Sequence, residues 1–169
     1  MAQIKLYGRD GKRYSLDFKR NFQLEEILHY CAKKIKLIVW EGKFPWIKRT
    51  VFGNYKVLFS SGWKKFNVPV AGGTTIGKKA ICIHKNLPKK EKFAIAFHEL
   101  GHRIKNHPAL KNMDVVKYDK QNLNYELEAT DYAIALIKKN EEYLKKFIVP
   151  DKVIARLVQR RKISVAENI

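Results

Sequence analysis

The residues with the clearest chemical potential form the pentapeptide His98-Glu99-Leu100-Gly101-His102, which has the pattern H-E-x-x-H. The pentapeptide lies in a stretch of helical periodicity, and residues four apart on a helix lie one above the other on the same face. Both imidazoles can therefore bind one zinc ion at about 2.0 to 2.1 Å. Glu99 projects about 100° around the helix axis, so it can contact a metal-bound water as a general base without becoming a ligand.

A zinc site of this kind needs a third protein ligand and keeps its fourth position open for water. The start of the following predicted helix supplies two candidate carboxylates, Glu126 and Glu128. Glu126 shares a helix face with Thr130, whereas Glu128 points elsewhere. Acidic side chains are also favoured in a first helical turn by the helix dipole, and we assign that solvated role to Glu128.

Three helices are predicted around these residues. The first has an apolar stripe from Phe93 to Ile104 and ends before Pro108, because proline cannot continue a helix. The second extends from about Leu123 to Phe147. Pro150-Asp151 breaks the second helix and caps a third, Lys152–Lys162. Its exposed side is expected to carry Arg156, Arg160, Arg161 and Lys162.

The N-terminal part of the chain has the patterns of strands. The first eighteen residues predict a hairpin whose turn contains Asp10-Gly11. Asn21 is a candidate N-cap for an amphipathic helix over Leu24–Leu37. Residues 38–85 predict several short antiparallel strands, of which the last is Lys79–Lys85.

The composition limits the class of protein. The chain has 169 residues, of which 46 % are hydrophobic, enough to bury one sizeable core and to exclude wholesale disorder. No apolar run approaches the roughly 18 to 20 residues of a membrane span, and the start lacks the pattern of a secretory signal. Cys31 and Cys82 are too few for a disulfide framework. We therefore expect a cytoplasmic protein with reduced, buried thiols and no membrane partner.

The metal-site residues resemble those of the zinc metallopeptidases of the ImmA/IrrE type. The resemblance is carried by HELGH at 98–102 and ELEAxxxA at 126–133, and it covers roughly residues 78–137. In that family the Glu at the position of Glu126 is the third zinc ligand, a gluzincin arrangement. The resemblance implies that His98, His102 and Glu126 bind Zn²⁺ and that Glu99 is the general base of an endopeptidase.

The chain departs from the family pattern at three places. Thr130 stands where the family usually has Asn or Asp, Tyr132 replaces Phe, and no proline follows Leu136-Ile137. Position 130 matters most, because the family's side chain there holds a ligand imidazole in place. We expect that Thr130 or Asp131 takes this role instead, or that the site is weakened.

The patterns of strands and helices predict an α+β fold with a small antiparallel sheet, and the resemblance implies that this sheet packs on a zincin-like bundle of active-site helices. Residues 1–169 are expected to form a single metallopeptidase-like domain. Its β-rich part with one helix covers 1–88, and its helical part, 89–169, carries the metal site. The small size is similar to that of the minigluzincins, which are latent peptidases, and in that case 152–169 would cover the cleft.

The sequence specifies substrate binding less closely. Strand Lys79–Lys85 could align an extended peptide by β-augmentation, as the edge strands of gluzincins do. Four residues are candidates for stabilising the oxyanion, and the spacing does not choose among them. They are Tyr125, Tyr118, His107 and His84. For His107, an ordinary interaction with the free carbonyls of a helix end explains its position equally well.

The excess of basic residues, 35 Lys and Arg against 16 Asp and Glu, gives a net charge of +19 and two interpretations of function. Basic and aromatic residues interleave over 44–66, which is typical of a nucleic-acid surface and also of a small sheet with a solvated face. Further basic residues are Lys138, Lys139, Lys145, Lys146 and 156–162. The first interpretation is a zinc endopeptidase, active or latent, that acts on an acidic or DNA-binding protein. The alternative is a catalytically silent zincin-fold protein that binds nucleic acid or an acidic protein.

Overall fold

In the computed structural model the described residues are 2–7, 13–33, 37–42, 47–49, 55–57, 72–75, 80–107 and 120–166. Their strands are β1 (Ala2–Tyr7), β2 (Arg13–Arg20), β3 (Ile38–Gly42), β4 (Ile47–Arg49), β5 (Tyr55–Val57), β6 (Gly72–Thr75) and β7 (Ala80–His84). Their helices are α1 (Phe22–Cys31), α2 (Lys89–Ile104), α3 (Lys120–Lys139), α4 (Glu141–Leu144) and α5 (Pro150–Ala166). The α+β class predicted from the sequence is confirmed.

The chain begins with the predicted hairpin and helix. β1 and β2 pair antiparallel, and the turn between them lies outside the described residues. Asn21 is the N-cap of α1, since its side-chain oxygen accepts a hydrogen bond of 2.9 Å from the backbone N–H of Leu24. This bond satisfies one of the N–H groups that the start of a helix leaves without an intrahelical partner. α1 ends at Cys31, earlier than the predicted end at Leu37.

Five strands form a mixed sheet in the order β1-β2-β3-β7-β6, while β4 and β5 form a separate pair. The prediction of an antiparallel sheet is wrong for one pair, because β3 and β7 run parallel, with Ile38 opposite Ala80. Parallel neighbours need a long crossover connection, which the chain between β3 and β7 supplies. The prediction that residues 79–85 bind a peptide by β-augmentation is also wrong, because β7 is paired with β3 on one side and β6 on the other.

Helices α2, α3 and α5 pack together, and α2 also lies against β6 and β7. Phe97 and Leu100 of α2, Ile137 of α3 and Leu157 of α5 are completely buried in this core. Burial of a side chain of this size contributes about 1.5–3 kcal/mol relative to its exposure. The shared core therefore fixes the positions of α2 and α3 relative to each other.

The C-terminal helices differ in length from those predicted. The helix expected over 123–147 is divided, because α3 ends at Lys139 and the short α4 follows. The side-chain amide of Asn140 donates a 2.9 Å hydrogen bond to the carbonyl of Leu136, which occupies an acceptor at the end of α3. α5 is longer than the predicted 152–162. Among the described helices, none has the length and apolar character needed to cross a membrane.

The two cysteines are buried thiols, as predicted, and neither belongs to a disulfide. Burial raises the pKa of Cys31 to about 12, because the thiolate is disfavoured away from water. A buried thiol of this kind packs as a small hydrophobic side chain and is a poor nucleophile at neutral pH. Cys31 therefore belongs to the core.

Candidate metal centre

α2 presents His98 and His102 on one face, because the two residues are four apart on a continuous helix. Their Nε2 atoms are 3.0 Å apart, and their rings meet at an interplanar angle of 84°. His98 is buried and His102 is partly buried. The H-E-x-x-H pattern thus lies on a helix with both imidazoles directed to one point.

The close approach of α3 to this face of α2 depends on Gly101. A Cβ atom at position 101 would lie 2.4 Å from the backbone oxygen of Ala129 and 2.9 Å from its Cα. Backbone atoms cannot yield as the end of a flexible side chain can, so a larger residue would push the helices apart. Glu126 precedes Ala129 by one turn on the same side of α3, and the close crossing brings it to the two histidines.

Glu126 completes a group of three side chains with ligating atoms. Its Oε2 lies 3.0 Å from Nε2 of His98, and its Oε1 lies 3.3 Å from Nε2 of His102. Ligand atoms on a tetrahedral zinc with bonds of about 2.0–2.1 Å are about 3.3 Å apart. The three ligating atoms, which all lie within 4.8 Å of one another, are thus spaced close to what one tetrahedral ion needs.

Thr130 holds the ring of His98 from the other side. Its Oγ1 lies 3.0 Å from Nδ1 of His98 and donates a 2.9 Å hydrogen bond to the carbonyl of Glu126. Because the hydroxyl has only one proton, which goes to that carbonyl, the His98 Nδ1–H must be the donor to Oγ1. The lone pair of His98 is thereby assigned to Nε2, which faces Glu126. Of the two residues expected to hold an imidazole, Thr130 does so, whereas Asp131 pairs with Arg161 at 2.8 Å.

His107 and Glu128 hold the ring of His102 in the same way. Nδ1 of His102 lies 2.9 Å from Nδ1 of His107, whose Nε2 lies 3.0 Å from Oε2 of Glu128. An ionised carboxylate only accepts, so neutral His107 donates from Nε2 and accepts at Nδ1. His102 then donates from Nδ1, and its lone pair is at Nε2, facing Glu126.

The end of α2 explains how His107 reaches this position. Asn106 has φ = 54°, in the left-handed region that Asn tolerates better than most residues. The backbone N–H of His107 donates to the carbonyl of His102 at 3.0 Å, and that of Asn106 donates to the carbonyl of Arg103 at 3.2 Å. These two bonds form a Schellman motif, which reverses the chain beneath the last turn. The side chain of His107 is 6 % exposed and stacks on Tyr125.

The assigned tautomers leave three acceptors facing one another, namely two Nε2 lone pairs and one carboxylate. A cation or a proton must lie between such groups, since unopposed acceptors at this distance repel. Burial opposes ionisation of Glu126, but the two imidazoles hold the pKa of its carboxyl well below the usual range. Burial by itself would lower the pKa of His102, because it disfavours the charged ring. The hydrogen bond to Glu126 outweighs burial, so the pKa of His102 is raised. The carboxylate is therefore ionised, which is the form that binds metals.

Glu99 and Arg160 lie beside the three side chains. Glu99 is 9 % exposed, and its carboxylate interacts electrostatically with His102 and with Arg160 of α5. The prediction that Arg156 and Arg160 lie on the exposed side of α5 is wrong. The side chain of Arg156 is only 11 % exposed, and Arg160 is partly buried. Arg156 and Arg160 follow buried Val153 by three and seven residues, a spacing that places them on the inward side of the helix. The prediction of an exposed side relied on the abundance of basic residues and not on this spacing.

The remaining predicted residues are distributed as follows. Glu128, assigned to a solvated role, is half exposed and yet accepts from both His107 and Lys105, the latter at 3.0 Å. His84 accepts a 3.2 Å hydrogen bond from the backbone N–H of Asn86. Tyr118 lies outside the described residues, as does most of the segment 44–66. The predicted basic surface is present in part, because Lys138, Lys139, Lys145 and Lys146 are exposed.

No protein-family model, curated protein or solved structure matches this chain. The resemblance to ImmA/IrrE peptidases therefore rests on the motifs at 98–102 and 126–133 alone. The candidate metal centre is independent of that resemblance, since it is defined by interatomic distances and hydrogen bonds.

Proposed function

We propose that this protein is a zinc-dependent endopeptidase of the gluzincin type, with α2 and α3 as its zincin-like active-site helices. The observation that carries the proposal is the convergence of His98, His102 and Glu126, with both imidazole lone pairs directed inward. Two imidazoles and one carboxylate are a ligand set typical of catalytic zinc, whereas structural zinc sites usually have four protein ligands.

The chain's own residues divide the remaining work. Zinc, when held by the three side chains, would polarise a peptide carbonyl and lower the pKa of water to about 7. The Glu99 carboxylate would accept the proton of the attacking water and then deliver it to the nitrogen of the leaving amine. Thr130 and His107 would keep the ligand rings in their orientation throughout the reaction.

The charge of the chain supports an acidic protein as the substrate, and a DNA-binding regulator fits the resemblance to ImmA/IrrE proteins. A net charge of +19 raises the local concentration of polyanions and speeds their encounter with the protein.

Val153 and Leu157 of α5 are fully buried, as expected of an integral helix rather than of a detachable cover over the cleft. This packing favours an active peptidase over a latent one.

The experiment that tests the proposal compares wild type with Glu99→Gln after both have been loaded with zinc. Cleavage of an acidic peptide library should fall by about 10²–10⁴-fold in Glu99→Gln, because the general base is removed. Zinc content should stay the same, since Glu99 is not a ligand. Glu142→Gln, at a side chain that is 88 % exposed, makes the same change in charge and should keep full activity. Cleavage by Glu99→Gln at the wild-type rate would refute the proposal.

The exposed lysines at the ends of α3 and α4 favour one second candidate, a protein that binds nucleic acid or an acidic protein and cleaves nothing. Binding of that kind weakens steeply as salt concentration rises, because it depends on release of counterions. A salt-sensitive shift of DNA of any sequence, together with no peptide cleavage by the zinc-loaded wild type, would favour this candidate.

A further inference from the structure

The inward side of α5 carries two arginines among its apolar residues. Val153 and Leu157 are buried, and Arg156 and Arg160 continue the same side of the helix toward its end. Nε of Arg156 lies 2.7 Å from Oε2 of Glu91, and both side chains are 11 % exposed. This ion pair attaches α5 to the first turn of α2 and fixes the side of α5 that faces the active-site helix.

Arg160 lies one helical turn beyond that ion pair, on a helix that packs against α2 and α3. The adjacent Arg161 pairs with Asp131, which follows Thr130 of the candidate metal centre. Arg160 is partly buried, and its guanidinium is attracted by Glu126 and Glu99 and repels a charged His102. Because Arg160 is partly buried, water solvates its guanidinium incompletely, and burial lowers its pKa. Arg160 therefore brings a positive charge close to the three ligating residues.

Arg160 differs from its neighbours in α5 by having no close partner. Arg156 pairs with Glu91, and Arg161 pairs with Asp131. In the part of the chain that the structure describes, no carboxylate forms an ion pair with Arg160 and no acceptor takes a hydrogen bond from it. Among the described residues only Nε of Arg103 is a buried side-chain atom without a hydrogen-bond partner, so the N–H donors of Arg160 reach solvent and can take a ligand. A partly buried charge without an ion pair nevertheless carries a cost in solvation.

A bound metal ion would increase that cost. Glu126 would share its charge with the ion, and the ion itself would repel the guanidinium. An anionic ligand beside the ion would remove this repulsion, because its negative charge would neutralise both the ion and the guanidinium. A carboxylate suits this position best, since it matches the planar fork of a guanidinium with two parallel hydrogen bonds.

We propose that Arg160 binds a carboxylate of the substrate beside the metal centre and thereby selects peptides with a negative charge next to the cleaved bond. The inference rests on the proposed peptidase function and names its substrate class. The carboxylate belongs either to an Asp or Glu side chain of the substrate or to its free C-terminus. Both sources present the same chemistry to Arg160.

Two small hydroxamates separate this role from a structural one. Acetohydroxamate and succinic acid monohydroxamate share a metal-binding group, but only the second carries a carboxylate. Isothermal titration calorimetry on the zinc-loaded full chain should show the second binding tighter by about 10–100-fold, the ratio that a hydrogen-bonded charge pair supports. In Arg160→Gln that ratio should fall to about one, and Arg160→Lys should retain part of it.

Arg161→Gln is the matched control, because it removes the same charge from the adjacent residue, which is paired with Asp131 away from the ligating residues. It should bind both hydroxamates as the wild type does. Circular dichroism and zinc content should establish that all three variants are folded and loaded. An equal ratio of affinities in wild type and Arg160→Gln, or a ratio near one in the wild type, would overturn the inference.

Peptide substrates identify the source of the carboxylate. Matched peptides with Glu or Gln at successive positions, each as a free acid and as a C-terminal amide, should be cleaved at rates that depend on one of the two charges. Wild type that cleaves all of them equally would overturn the inference and leave the peptidase function standing. Wild type that prefers the carboxylated hydroxamate but cleaves none of the peptides would overturn the peptidase function and leave anion binding by Arg160 standing.

Discussion

His102 Nδ1 and His107 Nδ1 lie 2.9 Å apart across the end of α2, so a residue just beyond the helix orients a candidate metal ligand inside it. The left-handed conformation of Asn106 makes this contact geometrically feasible. Asn106 and His107, which lie at the predicted end of this helix, therefore also belong to the candidate metal centre.

Replacement of His107 by Ala should weaken zinc binding. The ring of His102 would lose the acceptor that fixes its tautomer, and loss of such a contact typically reduces metal affinity by about 10–100-fold. Glu128→Gln should have a smaller effect, because Glu128 is half exposed and water can replace it. Competition with a chromophoric chelator measures both affinities. Wild-type affinity in His107→Ala would show that this chain of hydrogen bonds does not support the metal.

Thr130 should respond to the loss of its hydroxyl rather than to a change in its size. Thr130→Val keeps the shape of the side chain but removes the acceptor for His98 Nδ1, so zinc affinity should fall by about 10–100-fold. Thr130→Ser keeps the hydroxyl and should bind zinc nearly as the wild type does. Equal affinities in Val and Ser variants would mean that Thr130 does not orient His98.

Gly101→Ala should disturb the metal centre without altering any ligand. The added Cβ would contact the backbone of Ala129, so α3 must move and carry Glu126 with it. Overpacking of this kind costs about 1–3 kcal/mol, and zinc affinity should fall as well.

Ala135→Gly is a control for stability, because Ala135 is exposed on α3 and the change costs about 1 kcal/mol of helix propensity. It should lower the free energy of unfolding and leave zinc binding unchanged. Zinc affinity that is equally insensitive to Gly101→Ala would show that the close crossing of α2 and α3 is dispensable.

The ion pair of Arg156 with Glu91 should behave as a buried pair. Arg156→Met or Glu91→Met alone leaves one charge without a partner, which costs about 3–5 kcal/mol. The double variant with Met at both positions should recover much of this loss, because apolar side chains of similar size can replace a buried pair. Denaturation with urea measures the four stabilities. Additive effects of the two substitutions would mean that the pair is not coupled.

Much of the secondary structure was predictable, because it depends on residues that are close together in the sequence. The stripe that includes Phe97 and Leu100 predicted α2, and the cap at Asn21 predicted the start of α1. The pairing of His98 with His102 was predicted from their spacing alone, and Glu126 was predicted as the third member of the group from the resemblance.

Other features depend on contacts between residues distant in sequence, which a single sequence does not reveal. The parallel pairing of β3 with β7 joins segments separated by the region 43–79, and no local pattern encodes it. Arg160 was assigned to the surface because arginine usually lies there, although its spacing from Leu157 places it inward. The contact of His107 with His102 required the backbone reversal at Asn106, which the sequence indicated only as a helix end.

The metal content of the purified protein tests the central claim most directly. Wild type loaded with zinc and then freed of excess metal should retain one zinc ion per chain, and Glu126→Ala should lose it. Glu128→Ala, which removes the neighbouring carboxylate on the same helix, should retain the metal. Zinc that is absent from the wild type, or that is retained equally by Glu126→Ala, would contradict the account.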